Sequence, residues 1–221
     1  MGYGTDSDES YLESGRNTAR ALRELLAEHG EKFEGPKSLL EWGCSTGRVL
    51  RHFEGEAEQG EVWGVDRDED AIRWAKANLS PPFRFVTCTS YPHLPFEDAK
   101  FSFIYGISVL THLEHLVDTW LLELRRIMKG GGLAVFTVHD DHTARWMLQY
   151  GRMPWIPEDL NLNQVPEHDI INIRIESGNW RGKYTFFSDA WIEREWGQYF
   201  DVLEIKPYAE GYQSAVVLRK S

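Results

Sequence analysis

The stretch Leu39-Leu40-Glu41-Trp42-Gly43-Cys44-Ser45-Thr46-Gly47-Arg48 joins a short apolar run to a glycine-containing loop. The run Ser38 to Trp42 predicts a buried strand, and Gly47 to Phe53 predicts a helix after the loop. Gly43 and Gly47 allow tight turns and close backbone approach to a ligand. In an open α/β sheet, ligands bind outside the carboxyl ends of the strands where strand order reverses. The loop is therefore expected to bind a nucleotide-like ligand.

Upstream, Glu9 to His29 predicts a helix, with Leu22, Leu25, Leu26 and His29 on one face and Ala19 a turn earlier. Gly30 and Gly35-Pro36 end it. Downstream, Glu61 to Asp66 predicts a second strand and Asp68 to Leu79 a helix stopped by Ser80-Pro81-Pro82. Phe83 to Thr87, Phe101 to Ile107 and Leu133 to Val138 predict three more strands. Leu116 to Met128 is an amphipathic helix, with Gly130-Gly131-Gly132 predicted to cap it and turn the chain. Nearly continuous apolar strands alternating with helices indicate a parallel, doubly wound α/β sheet covered on both faces.

From Asp140 to Phe187 this rhythm breaks. The region holds Trp146, Trp155, Trp180, Pro154, Pro157, Pro166 and the turn-like Ser177-Gly178-Asn179, with a half-exposed strand expected over Ile170 to Ile175. Ser188 is expected to N-cap a helix reaching Trp196. Asp201 to Pro207 and Ser214 to Arg219, joined by Ala209-Glu210-Gly211, predict an antiparallel hairpin. The expectation is one domain over 1–221, with an N-terminal helical extension at 1–35 and an inserted cap at 140–187.

The formal charge is −11, with 42% hydrophobic and 27% charged residues, which are globular values. An acidic chain repels phosphate backbones and anionic membranes unless it carries a basic patch. Arg125, Arg126 and Lys129 cluster at a helix end, where the helix dipole favours them. Neither nucleic acid nor membrane is expected as a partner. No apolar run approaches the ~20 residues of a membrane span. Met1 to Ser10 is polar and acidic, with no signal-peptide core. The expectation is a cytoplasmic protein, monomeric or homodimeric. Two cysteines, Cys44 and Cys88, make neither a disulfide scaffold nor a four-ligand zinc site.

A dinucleotide fingerprint requires glycine at 43, 45 and 48, where this chain has Gly43, Ser45 and Arg48. Asp66, ending the second strand, suits ribose hydroxyls with either kind of cofactor. Glu41, two residues before Gly43, suits a cationic ligand, and S-adenosylmethionine (SAM) carries an amino group and a sulfonium.

On these residues the chain resembles the class I SAM-dependent methyltransferases, strongly from about Ser38 to Val138 and loosely from Thr185 to Lys220. The resemblance implies a Rossmann-like seven-stranded sheet of order 3-2-1-4-5-7-6 with an antiparallel C-terminal hairpin. It implies SAM as cofactor and S-adenosylhomocysteine as product. Glu41, Gly43, Cys44, Ser45 and Gly47 would form the loop against the methionine and ribose parts. Asp66, with Arg67 beside it, would take the ribose, Cys88 and Thr89 would flank the adenine, and Gly106 and Ile107 would line the methionine end. The chain departs from the family at Ser45, where a glycine is usual, and at Ser102, where an acid is usual.

Methyl transfer from SAM needs mainly alignment, with a base only when the acceptor is protonated. His139, just past the fifth strand, is the first candidate for base or orienting group, with Asp140 and Asp141 placed to raise its pKa or to orient it. His112 is the second, also readable as a packing residue at a helix start, and His115 lies near it. His168 and Gln213 are weaker candidates for acceptor contacts. His139, Asp140 and His142 resemble a metal set, but a capping turn accounts for them and no metal is assigned. The cap tryptophans Trp146, Trp155, Trp180 and Trp191 are read mainly as packing, one or two of them as stacking partners of an acceptor. The expected activity is methyl transfer to a small molecule, at oxygen of a sugar, glycoconjugate or phenolic metabolite. The alternatives are a non-catalytic SAM-fold binding module and an NAD-dependent oxidoreductase.

Overall fold

In a computed structural model, the described residues are 7–32, 34–151, 153, 156, 160–177 and 180–221. Trp155, Pro154, Pro157, the Gly178-Asn179 turn and residues 1–6 of the acidic start lie outside them, as does the Trp180 side chain. The chain divides into two units: Met1–Tyr105 with Ile127–Leu133, and Gly106–Arg126 with Ala134–Ser221.

The first unit opens with α1 (Asp8–Glu28), whose N-cap Ser7 accepts from the Ser10 amide and whose first turn carries Asp8 and Glu9. Side-chain capping and acids near the positive helix end both favour initiation there. Leu22, Leu25 and Leu26 are buried, as the 3.6-residue period requires. Then follow β1 (Ser38–Trp42), α2 (Glu54–Gln59), β2 (Glu61–Asp66), α3 (Glu69–Leu79), β3 (Arg84–Thr87) and β4 (Phe101–Gly106). β1 pairs in parallel with β2 and β4, and β2 with β3. Leu39, Leu40, Val62, Val65, Phe85, Phe103 and Ile104 are buried along these strands.

One expectation in this unit is corrected. The predicted helix Gly47 to Phe53 is a series of turns closing in a 3₁₀ turn, Leu50–His52, and the α-helix begins only at Glu54. Arg51 explains the tight geometry: its guanidinium bonds back to the Thr46 and Gly47 carbonyls at 2.8 Å. Glu54 and Glu56 supply the acidic first turn further on.

α4 (Val117–Ile127) runs directly into β5 (Met128–Val138), so the glycine run at 130–132 lies within an extended segment and does not precede it. The second unit continues with α5 (Asp141–Tyr150), β6 (Ile170–Ser177), β7 (Trp180–Phe187), α6 (Asp189–Trp191) with a π-helical turn to Trp196, β8 (Asp201–Glu210) and β9 (Gln213–Arg219). Ser188 caps α6 by accepting from the Trp191 amide. Two elements here have no counterpart in the sequence reading. α5 is capped by Asp140, which accepts from the Thr143 amide at 2.9 Å. β7 pairs antiparallel with β6 along its full length, from Ile170 opposite Phe187 to Ser177 opposite Trp180. Met147, Leu162, Val165, Ile173, Tyr184 and Phe186 form an apolar cluster of this region's own.

The main sheet has the order β3-β2-β1-β4-β5-β9-β8, with β8 and β9 antiparallel, which is the expected topology with the C-terminal hairpin last. β6 and β7 form a separate two-stranded sheet. Among the described residues, no helix is long and apolar enough to cross a membrane.

Candidate functional site

The loop after β1 is built by backbone bonds to β2. Gly43 and Cys44 amides both donate to the Val65 carbonyl, at 2.8 and 3.1 Å, and the Gly47 amide donates to the Cys44 carbonyl at 2.8 Å. Gly43, Ser45 and Gly47 all sit in the left-handed region, at φ 80, 48 and 71°. Ser45 therefore occupies, at some conformational cost, a position where glycine is the unstrained choice. Gly47 also lacks room for a side chain, since a β-carbon there would lie 2.8 Å from Leu79 Cδ1.

Asp66 is tied into this loop. Its Oδ2 accepts from the Ser45 amide at 2.7 Å and its Oδ1 from the Asp68 amide at 2.9 Å. A carboxylate has about four acceptor positions, so two remain for further donors such as ribose hydroxyls. Cys88 is held beside it, its amide donating to the Asp66 carbonyl at 2.8 Å. Arg67 and Thr89 are exposed at the same strand ends, and Thr89 closes a small turn with Tyr91.

Glu41 lies beneath the loop. It is buried and accepts from the Tyr105 hydroxyl at 3.1 Å. Burial raises its pKa to about 8, against the opposing pull of Arg48, the Tyr105 hydroxyl and the Leu50 backbone. Burial likewise pushes the Cys44 thiol well up and Cys88 to about 11, so neither is a thiolate near neutral pH.

The second unit carries the remaining candidates. Gly106, buried, ends β4, and Ile107, half-buried, follows it. Next comes Ser108, in the left-handed region at φ 57°. Its amide donates to Thr137 Oγ1 at 2.7 Å and its hydroxyl to Gln213 Oε1 at 3.0 Å. Gln213 Nε2 lies 3.4 Å from His139 Nε2. An amide nitrogen only donates, so His139 Nε2 accepts and Nδ1 carries the proton. His139 is buried and its ring stacks on Tyr212, with centroids 5.7 Å apart.

Burial holds the His139 pKa down to about 3, with His112 adding to the effect. The expectation that Asp140 and Asp141 raise it is thus corrected. Asp140 instead caps α5 and contacts His142 at 3.2 Å. His112 differs: it is exposed, and its Nδ1 donates to the Lys183 carbonyl at 2.8 Å. Its ring lies 5.2 Å from that of Tyr184. Glu114, bonded to Arg174 and Lys183, further fastens this turn to the β6–β7 hairpin. His168 is exposed at the end of a 3₁₀ turn, and His115 contacts Glu114 at 3.8 Å. Trp146 stacks on Tyr212 at 5.6 Å, and Trp191 is buried against Phe187.

Sequence reasoning missed Ser108, Tyr184, Tyr212 and Asp189. Asp140, His142 and Asp189 bring one ligand atom each within 4.8 Å of one another, a set able to hold a cation and different from the His139-containing one the sequence suggested. Burial, with Asp140 and Asp141 nearby, raises the Asp189 pKa to about 7. His142 Nδ1 lies 3.2 Å from Asp140 Oδ2 and 3.4 Å from Asp189 Oδ2, so a bond donated from that nitrogen accounts for the same geometry.

Residues 14–211 match the family model described as a methyltransferase domain. The chain belongs to that family. It is 32% identical over 105 residues to an uncharacterized methyltransferase of Schizosaccharomyces pombe, covering 42% of this chain and 37% of that protein. The chain spans well under half the length of the curated relatives it matches. In fold it is similar to the PH0226 protein from Pyrococcus horikoshii OT3, at TM-score 0.67 and 22% identity, covering 93% of this chain and 91% of that one. It is also similar to the glycopeptide N-methyltransferase MtfA complexed with SAM, at TM-score 0.61 and 16% identity, covering 93% and 94%. The architecture is that of SAM-dependent methyltransferases.

Proposed function

We propose that this protein transfers the methyl group of SAM to a small-molecule acceptor, at an oxygen of a sugar, glycoconjugate or phenolic metabolite. The observation that carries the cofactor reading is the Asp66 carboxylate bonded to the Ser45 amide, which joins the acid of β2 to the glycine loop of β1. When bound, SAM supplies a methyl group activated by its sulfonium. Glu41, Gly43, Cys44, Ser45, Gly47, Asp66, Arg67, Cys88 and Thr89 would hold it, with Gly106 and Ile107 at the methionine end. The Asp66 carboxylate, with acceptor capacity to spare, fits its ribose hydroxyls.

For an acceptor hydroxyl, the residue we assign as base is His112. With Nδ1 donating to the Lys183 carbonyl, Nε2 is the ring nitrogen with the acceptor lone pair, on an exposed residue. His139 is the poorer base, because burial keeps its pKa at about 3. Its role is to orient Gln213 and the residues around it.

The test is calorimetric titration with SAM and with S-adenosylhomocysteine, followed by a tritiated-methyl assay over sugars, glycoconjugates, phenols and amines. Binding of both ligands and label on a hydroxyl acceptor are expected. Label on amines alone would move the acceptor to nitrogen. Binding of neither ligand by folded protein would overturn the cofactor assignment.

A further inference from the structure

Arg48 stands where a dinucleotide fold keeps a glycine, and its neighbours are residues of α1. Its Nη1 donates to Ser14 Oγ at 2.8 Å and Thr18 Oγ1 at 3.3 Å. A β-carbon built on Gly15 would collide with the Arg48 carbonyl, so the helix and the loop backbone are in direct contact there. One turn earlier, Tyr11 Oη and Thr46 Oγ1 share a hydrogen bond of 2.6 Å. Arg51, whose head holds the Thr46 and Gly47 carbonyls, also lies over the Tyr11 ring at 5.7 Å.

Tyr11, Ser14, Gly15 and Thr18 fall at i, i+3, i+4 and i+7, a single stripe of the helix. The apolar stripe that anchors α1 to the core, Leu22 to Leu26, begins where this one ends. The two halves of the helix thus face different neighbours, one apolar and one a polar turn.

We propose that α1 is a positioning element of the cofactor loop: its Tyr11-Ser14-Gly15-Thr18 stripe holds Thr46 to Arg48 and thereby keeps the left-handed Ser45 and Gly47 in the conformation that receives SAM. This rests on the assignment of the loop to SAM. The physical reason is that Ser45 holds an unfavourable backbone conformation that persists only if its surroundings enforce it. Asp66 grips the loop on one side through the Ser45 amide, and α1 grips it on the other through Thr46 and Arg48. Without the second grip, part of the binding energy goes into ordering the loop, and affinity falls while the fold persists.

The experiment compares the full chain with Tyr11→Phe and Arg48→Met, and with Arg20→Ala on the exposed side of α1 as control. SAM and S-adenosylhomocysteine dissociation constants are measured by calorimetry, thermal midpoints on unliganded protein, and amide exchange at Ser45 to Arg48 by mass spectrometry. The expected result is that Tyr11→Phe and Arg48→Met weaken both ligands by about tenfold or more and speed loop exchange, whereas exchange in α3 and the Arg20→Ala values stay at wild type. Variants whose affinity and loop exchange equal wild type would overturn the proposal. So would weakened binding accompanied by general loss of protection throughout α1 and α3, which marks a merely structural helix. Wild-type protein that binds neither ligand would instead overturn the assignment of the loop to SAM, and the positioning role with it.

Discussion

The Tyr105 hydroxyl donates to Glu41 Oε2 at 3.1 Å, joining two buried side chains on paired strands β4 and β1. A buried carboxyl with one hydroxyl partner costs less neutral than charged, and burial raises the Glu41 pKa to about 8 accordingly.

This pair makes stability pH-dependent. The pKa is raised on folding, so the stabilisation is complete below about 4.5, the ordinary carboxyl value, and is lost as pH rises toward about 8. Each unit of difference corresponds to ~1.4 kcal/mol. Glu41→Gln is expected to flatten the fall in thermal midpoint between pH 5 and 8, read by calorimetry or circular dichroism. An unchanged slope would remove Glu41 from the account.

Asp66 anchors the loop, and in the proposed reading it also accepts from the ribose. Asp66→Ala is expected to raise the SAM dissociation constant by roughly 100-fold, since hydrogen bonds to charged groups contribute ~1.5–3 kcal/mol each. His139→Ala should change it far less. Titration calorimetry of both variants decides, and the reverse order would place the cofactor elsewhere.

His139 has its pKa lowered on folding, to about 3. Its contribution is present above about 6.5, the ordinary imidazole value, and is lost as pH falls through that range toward 3. His139→Gln should therefore lessen the acid loss of stability between pH 6 and 4. Methyl-transfer rates should show no ionisation traceable to His139. A limb of the pH–rate profile that disappears in this variant would restore His139 as the base.

His112→Gln is expected to lower turnover on a hydroxyl acceptor by about 10²–10⁴, the usual contribution of a general base, with SAM affinity unchanged. Single-turnover assays with bound SAM separate the two quantities. A variant with wild-type turnover would leave alignment as the main source of rate.

In the second unit, Phe186 is fully buried in the apolar cluster of α5 and the β6–β7 hairpin. Phe186→Ala should cost about 3–5 kcal/mol of stability, as large-to-small changes in packed cores do. Denaturant unfolding measures it.

Local sequence determined the central strands, the position of the glycine loop and the final hairpin. Each is written in contiguous residues: apolar runs for strands covered on both faces, glycine where the backbone turns left-handed, and a short link between two strands. The acids Glu41 and Asp66 were legible for the same reason, being fixed relative to strand ends. Tertiary structure alone decided what those acids do to their surroundings. Glu41 became a near-neutral group because the core around it excludes water, against the opposing pull of the Tyr105 hydroxyl from 64 residues away. His139 lost its basicity through burial, which no neighbouring aspartate in the sequence reveals. β7 could be recognised only by its pairing with β6, because its first half lacks alternation. Arg48 was visible from the start as a misfit to the dinucleotide pattern. Its purpose emerged only when the chain brought Ser14 and Thr18, more than two dozen residues earlier, against its guanidinium.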